Sequence, residues 1–258
     1  MCVILFAVGA HPRYPLVVAA NRDEWFHRPT AVAAFWADVP SVFAGRDLEQ
    51  HGTWMGISRS GRFAAVTNVR EGGPARADAR SRGALVSSFL TGTDAPDSFA
   101  AMVAQQGTRY NGFNLLAGDR ARLMYLSNRG GIPVVVPPGV HGLSNHLLNT
   151  AWPKVQQGKA RLAAALEGDE IDIPKLFDIL SDRSPAPAGS LPDTGVAPER
   201  ERVLSALHVL AGDYGTRTAT VLLVGSDDRV VCLERSFDKA GNTTGEVREA
   251  FALDRHDA

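Results

Sequence analysis

Cys2 stands directly after Met1 and leads into the apolar run Val3-Ile4-Leu5-Phe6-Ala7-Val8. If Met1 is removed, Cys2 carries a thiol of ordinary pKa about 8.5 and an α-amine of about 7.7 to 8.0, so one residue holds both a nucleophile and the base that takes its proton. The competing reading is a small hydrophobe at the start of a strand, since buried cysteines are often inert. A second polar group, Asn21-Arg22-Asp23-Glu24-Trp25, follows the apolar strand Leu16-Val17-Val18-Ala19-Ala20. A turn through His11-Pro12-Arg13-Tyr14-Pro15 makes a hairpin that sets Cys2 opposite Asp23. A carboxylate there would anchor the α-ammonium or orient the thiol. Opposite charges beside a nucleophile tune its pKa, although such clusters at strand ends also arise as solvated turns.

These residues need a frame to hold them. Alternating and β-branched runs predict strands over 2–8, 16–21, 42–47, 53–58 and 62–68. Helices follow over 81–90, with Leu85, Val86 and Phe89 as a stripe, and from Asp94 as N-cap, with Pro96 in the first turn, through Phe99, Met102 and Val103. Strands resume over 112–117, 123–127, 133–136 and 139–144. A helix over 153–167 presents Val155, Leu162 and Leu166, and others span 174–180 and 199–210. The chain ends in strands over 216–225, 229–236 and 246–253. Residues 184–198 hold four prolines and two glycines and read as a long loop, either a lid or a plain surface segment. Hairpins at both ends with helices between them predict sheets covered by helices rather than a βαβ alternation. No repeat or linker divides the chain, so residues 1–258 are expected to form one domain.

Bulk properties narrow the function classes. With 258 residues, 45% of them hydrophobic, the chain can bury a large core without staples. Its two cysteines, Cys2 and Cys232, lack metal-ligand spacing, so neither a disulfide framework nor a metal site is expected. A net charge of -1 disfavours nucleic acid and anionic membrane as partners. The first apolar run is shorter than a membrane span and has no small-residue cleavage site after it, which reads as a cytoplasmic protein with no integral membrane association. Gly56-Ile57-Ser58-Arg59-Ser60 misses the Gly-x-Ser-x-Gly elbow at its last place, and no phosphate-binding glycine loop is present.

Ala20-Asn21-Arg22-Asp23-Glu24-Trp25, one hairpin after Met1-Cys2, resembles the signature of the NRDE family of transport and Golgi organisation proteins. Thr67-Asn68-Val69-Arg70, Ser81-Arg82-Gly83, Gly142-Leu143-Ser144-Asn145 and Gly215-Thr216-Arg217-Thr218 look like family blocks in the expected order, so the resemblance covers nearly the whole chain. That family is similar in turn to the N-terminal-nucleophile cysteine hydrolases, among them penicillin V acylases and bile salt hydrolases. The resemblance implies an α+β fold, a four-layer αββα sandwich of mostly antiparallel sheets. It also implies a catalytic set of Cys2, Asp23, Asn68, Asn145 and Arg217. Cys2 would attack an amide or thioester carbonyl, Asn68 or Asn145 would donate to the oxyanion, Asp23 would hold the amine, and Arg217 would lower the thiol pKa. One departure is Ala20, where the acylases usually carry an arginine; Arg22, two residues on and on the same side of a strand, is the candidate substitute.

Substrate contacts are expected from Asn21, Arg22, Glu24, Arg70, Arg82 and His146. The segment 69–82 carries Arg70, Arg76, Arg80 and Arg82 against Glu71 and Asp78, and its positive excess would clamp an anionic group. The occupant is expected to be a small or lipid-like molecule, with no cofactor required for catalysis. Family members are also implicated in heme trafficking, which gives a second, non-enzymatic expectation of heme or an acyl lipid as cargo. His27, His51, His141, His146, His208 and Cys2 are the residue types that would ligate its iron.

Overall fold

The computed structural model describes residues 2–254. Met1, on whose removal the terminal-amine chemistry depends, lies outside them. The strands in chain order are β1 (Cys2–Val8), β2 (Leu16–Trp25), β3 (Thr30–Phe35), β4 (Val42–Asp47), β5 (Met55–Ser58), β6 (Phe63–Asn68), β7 (Phe113–Gly118), β8 (Leu123–Ser127), β9 (Gly130–Val135), β10 (Gly139–Leu143), β11 (Leu210–Ala211), β12 (Tyr214–Val224), β13 (Arg229–Phe237) and β14 (Thr243–Ala252). The helices are α1 (Gly83–Thr91), α2 (Pro96–Gln105), α3 (Pro153–Ala165), α4 (Ile173–Leu180) and α5 (Pro198–Leu204). The described residues fold as two compact units, one of residues 2–27, 70–73 and 138–251, the other of 28–69, 74–137 and 252–254.

In the first unit the sheet runs β10-β1-β2-β12-β13-β14, with β11 on β12. Alternation along each strand sends odd-numbered residues of β1 and β2 to one face. Val3, Leu5, Ala7, Val17 and Ala19 thereby meet Leu162 of α3 and Leu176, Phe177 and Leu180 of α4 in one core. α4 forms where Ile173, Leu176, Phe177 and Leu180 recur at helical spacing after a proline in the first turn. α3 approaches so closely that a Cβ on Gly158 would lie 2.7 Å from the Leu5 methyls.

The second unit's sheet runs β3-β4-β5-β6-β7-β8-β9, antiparallel throughout. Val42, Ala44, Ala64, Val66, Leu115 and Ala117 face Leu85, Val86 and Phe89 of α1 and Phe99 and Val103 of α2. The expected class therefore holds: α+β, with mostly antiparallel sheets and helical cover.

Several local expectations are corrected. The β1–β2 loop closes with the Gly9 N–H donating to Pro15 O at 2.9 Å, which fixes the register one residue away from the expected one. Cys2 thus pairs with Arg22, not Asp23. β2 continues through Asn21 to Trp25 as strand, buried as far as Asp23, because β12 pairs along that whole stretch. β3 was not expected at all. Asp94 does not cap α2, whose N-cap position is Ala95. The helix expected over 199–210 stops at Leu204, and Leu210 turns into β11.

Candidate active site

β2 lies between β1 and β12, and the register aligns Cys2, Arg22 and Thr218 as a row across three strands. Directly opposed residues hold their Cβ atoms about 4.5 to 5.5 Å apart, so the Arg22 side chain stands beside the Cys2 thiol. Both are buried, and Arg22 Nη2 lies 3.9 Å from Glu24 Oε2. Arg22 lies two residues after Ala20, on the same face of β2.

The next residues face the other way. Asn21 belongs to the helix-facing row, where its amide donates to the main-chain oxygens of Leu180 at 2.8 Å and Leu207 at 2.9 Å. The structure gives Asn21 a structural bond set and does not bring it to the thiol. Asp23, 1% exposed, pairs with Thr216 across a bulge at Arg217. The extra residue flips the alternation, so Thr216 shares the face of Asp23 while Thr218 shares that of Cys2. Thr216 Oγ1 donates to Asp23 Oδ1 at 2.7 Å and accepts the Val209 N–H at 2.9 Å. Tyr214 OH donates to the Asp23 main-chain oxygen at 3.1 Å. Gly215 is required between them, because a Cβ there would meet Val209 O at 2.5 Å.

The bulge also carries Arg217 outward. Its guanidinium donates to Trp25 O at 3.3 Å and sits 6.0 Å from the Phe26 ring centre. Burial pushes the Cys2 thiol up; the Asp23 charge adds to the rise, while the Arg22 guanidinium and the Asp23 backbone N–H oppose it. Arg22 is an arginine whose charge favours the thiolate.

Asn145, fully buried, follows β10 and is held by Arg70 on one side and, through Ser144, by the chain start on the other. Its main-chain oxygen accepts the Arg70 N–H at 2.7 Å. Ser144 Oγ lies 3.0 Å from Cys2 O and 3.3 Å from Asn145 Oδ1, sharing its hydrogen between them. Glu24 accepts the Trp25 N–H at 2.9 Å. His146 is exposed, its Nδ1 2.9 Å from Thr150 Oγ1. Asn68 ends β6 and Arg82, whose Nη1 donates to Gly112 O at 3.1 Å, precedes α1; both belong to the second unit. The expected arginine clamp is not a single cluster, since Arg70 pairs with Glu201, and Arg76 pairs with Asp78 at 3.0 Å.

Sequence reasoning missed Lys154 and Glu201. Lys154 is 3% exposed and donates to Leu204 O at 2.9 Å. Burial lowers its ammonium to about 8, against the support of the Asp23 charge. Asp23 in turn is raised by burial, with Lys154, Thr216 and Arg70 opposing. Glu201 pairs with Arg70, which also lies over the Trp152 ring at 4.9 Å, and accepts from Thr194 of the proline-rich loop. Arg70, Trp152, Lys154, Pro192, Glu201 and Ser205 line a cavity of about 10 Å³, room for about one water-sized sphere. The signal was present: Lys154 shares the buried side of α3 with Val155, Gly158 and Leu162, a cation at a core position.

The model of the family described as Transport and Golgi organisation 2 matches residues 1–239. Similar relatives are the Transport and Golgi organization protein 2 homologs of Bos taurus, 41% identical, and Homo sapiens, 38% identical, each match spanning 92% of this chain and 93% of the relative. Among solved structures, a mutant conjugated bile acid hydrolase from Clostridium perfringens is similar in fold, with a TM-score of 0.50 at 10% identity over 98% of this chain and 92% of that one. Motif, register and whole-length similarity agree, and the chain belongs to the Transport and Golgi organisation 2 family.

Proposed function

We propose that this protein is an N-terminal-nucleophile-type cysteine amidohydrolase or acyl-transfer protein acting on a small or lipid-like amide or thioester. The observation that carries the reading is the buried placement of Cys2 beside Arg22, with Asp23 held behind it by Thr216 and Tyr214. Once Met1 is removed, the Cys2 amine takes the thiol proton as sulfur attacks the carbonyl, and it returns that proton to the leaving group. Asp23 holds the ammonium form, Arg22 favours the thiolate, and the Asn145 amide is the oxyanion donor. A good donor of that kind contributes roughly 3 to 4 kcal/mol. Because the thiol is raised by burial, the adjoining amine and guanidinium are needed to make it a nucleophile at neutral pH.

Intact mass of the purified protein tests the first step, since retention of Met1 removes the terminal amine from the mechanism. Wild type, Cys2→Ser and Cys2→Ala are then compared on acyl-amide and acyl-thioester panels. Turnover by wild type that falls to background in Cys2→Ala supports the reading. Equal background in all three overturns it. The word transport in the relatives' names favours a second reading as a binding and trafficking protein, with heme or an acyl lipid as the cargo to test. Stoichiometric heme binding with a defined Soret band, alongside absent turnover, would establish that one.

A further inference from the structure

The arginines of segment 69–82 leave one charge unassigned. Arg70 pairs with Glu201, Arg76 pairs with Asp78, and Arg82 donates to Gly112 O. Arg80 is exposed, and its guanidinium has no ion pair or hydrogen bond among the described residues. Its backbone, by contrast, is fixed. Arg80 forms a parallel bridge with Tyr110, and its N–H donates to Arg109 O at 2.9 Å. Arg76 strengthens that tie, since its N–H donates to Asn111 Oδ1 at 2.9 Å and its Nη1 to Thr108 O at 2.8 Å. Bridged residues send their side chains to the same face, so Arg80 and Tyr110 leave the backbone in one direction.

Both side chains line a cavity of about 470 Å³ whose lining residues all belong to the second unit. That volume lies within the range of ligand pockets, roughly 300 to 1,000 Å³. Leu85 of α1 and Phe99 and Val103 of α2 give it apolar walls, and Met102 beside them is left 39% exposed. The polar groups Arg80, Ser81 and Tyr110 come from the loops where α1 begins and α2 has ended. Tyr110 is 7% exposed, and its hydroxyl has no hydrogen-bond partner among the described residues. A buried phenol ordinarily bonds its hydroxyl, as Tyr125 does to Asn114.

We propose that this cavity binds a monocarboxylate with an apolar body. The carboxylate accepts from the Arg80 guanidinium and the Tyr110 hydroxyl, and the apolar body lies against Leu85, Phe99, Met102 and Val103. A guanidinium can only donate, so the group it meets must accept, which selects a carboxylate over an amine. Arg80 is the charged residue of the lining, and one guanidinium answers one negative charge. Cys2 belongs to the first unit, and the proposal does not depend on the hydrolytic reading.

The full chain is titrated with decanoate, and the ε-methyl NMR signal of Met102, assigned by its loss in Met102→Leu, reports occupancy of the cavity. A saturable shift is expected. Arg80→Gln should weaken binding about tenfold or more, as loss of a hydrogen bond to a charged group does, and Tyr110→Phe about fivefold. Both variants should fold, since Arg80 is exposed and the Tyr110 ring keeps its packing on Phe113 at 5.6 Å between ring centres. Decanol, which lacks the charge, should bind wild type no better than decanoate binds Arg80→Gln. Acetate, which lacks the apolar body, should not saturate. A Met102 signal that decanoate leaves unmoved overturns the proposal. So does equal decanoate affinity in wild type and either variant, or equal affinity of wild type for decanoate and decanol.

Discussion

The two units are built alike, each a seven-stranded sheet with helices on it, yet they bury different chemistry. In the second unit the buried polar side chains are neutral hydroxyls and amides: Thr53, Ser58, Thr67, Asn114 and Ser127. In the first, Arg22, Asp23, Lys154, Glu201 and Glu234 are all buried with their charges. Apolar packing already suffices to hold such a sheet, as the second unit demonstrates with Leu115, Phe89 and Phe99. Burial of an ion costs several kcal/mol before its partner repays it, so the charges of the first unit are poor stabilisers. They mark a place where stability gives way to chemistry: Arg22 and Asp23 lie at the end of β2 by the start of β1, while Glu234 stands on β13 opposite Thr220.

The largest effect should come from breaking the most deeply buried pair. Arg70 and Glu201 have side chains only 5% and 3% exposed. Glu201→Ala leaves the guanidinium without its carboxylate and should cost about 3 to 5 kcal/mol in urea unfolding. The double variant Arg70→Met with Glu201→Leu should recover most of that loss, because two apolar side chains need no partner. If the double variant is as unstable as the sum of the single ones, the first unit uses its charges for stability and the contrast between the units fails.

The difference between the units also explains what could be read from the chain alone. The apolar elements were legible because periodicity reports burial directly, as for Leu85, Val86 and Phe89 in α1. The nucleophile candidate and its neighbours were legible through Cys2, Asn21-Arg22-Asp23-Glu24 and the later blocks. The facing of those residues was not, because it depends on a loop closure at Gly9 and a bulge at Arg217 that no local pattern encodes. One residue of register moved Arg22 into the place expected for Asp23, and the bulge puts the Arg217 guanidinium against Trp25 O. Lys154 was legible as a cation on the apolar side of α3, whereas the burial of Glu201 depends on its pairing with Arg70, which no local pattern encodes.

A smaller effect separates the units by pH. His208 is 2% exposed in the first unit, packs on Phe237 at 4.9 Å between ring centres, and has both ring nitrogens without a hydrogen-bond partner among the described residues. Burial lowers its pKa to about 4, and the nearby Arg183 charge adds to the fall. An unfolded imidazole titrates near about 6.5, so between that pH and 4 the unfolded chain binds the extra proton. Stability from this group is complete above 6.5 and is lost as pH falls through the window, by up to about 3 kcal/mol. His208→Phe should flatten the stability profile between pH 7 and 4.5 and cost little at pH 7. An unchanged acid slope in that variant would assign the sensitivity instead to carboxylates held below their ordinary value, such as Asp182 beside Ser184 and Arg161.

The finest comparison sets two buried tyrosines against each other. In the first unit Tyr214 OH donates to Asp23 O at 3.1 Å, and in the second Tyr125 OH donates to Asn114 Oδ1 at 2.9 Å. Each hydroxyl makes a neutral hydrogen bond, so Tyr214→Phe and Tyr125→Phe should each cost about 1 kcal/mol in unfolding free energy. Their surroundings differ, because the Tyr214 hydroxyl also feels the charges of Asp23 and Cys2, which with burial raise it well above its ordinary value. Removing it takes away a hydroxyl dipole on which the Asp23 and Cys2 charges act, whereas removing that of Tyr125 takes away its hydrogen bond to Asn114. The pH dependence of Cys2 alkylation, followed by mass spectrometry, should therefore shift in Tyr214→Phe and stay in place in Tyr125→Phe. A shift in both variants, or in neither, would mean that the chemistry at Cys2 does not respond to the polar environment that distinguishes the first unit.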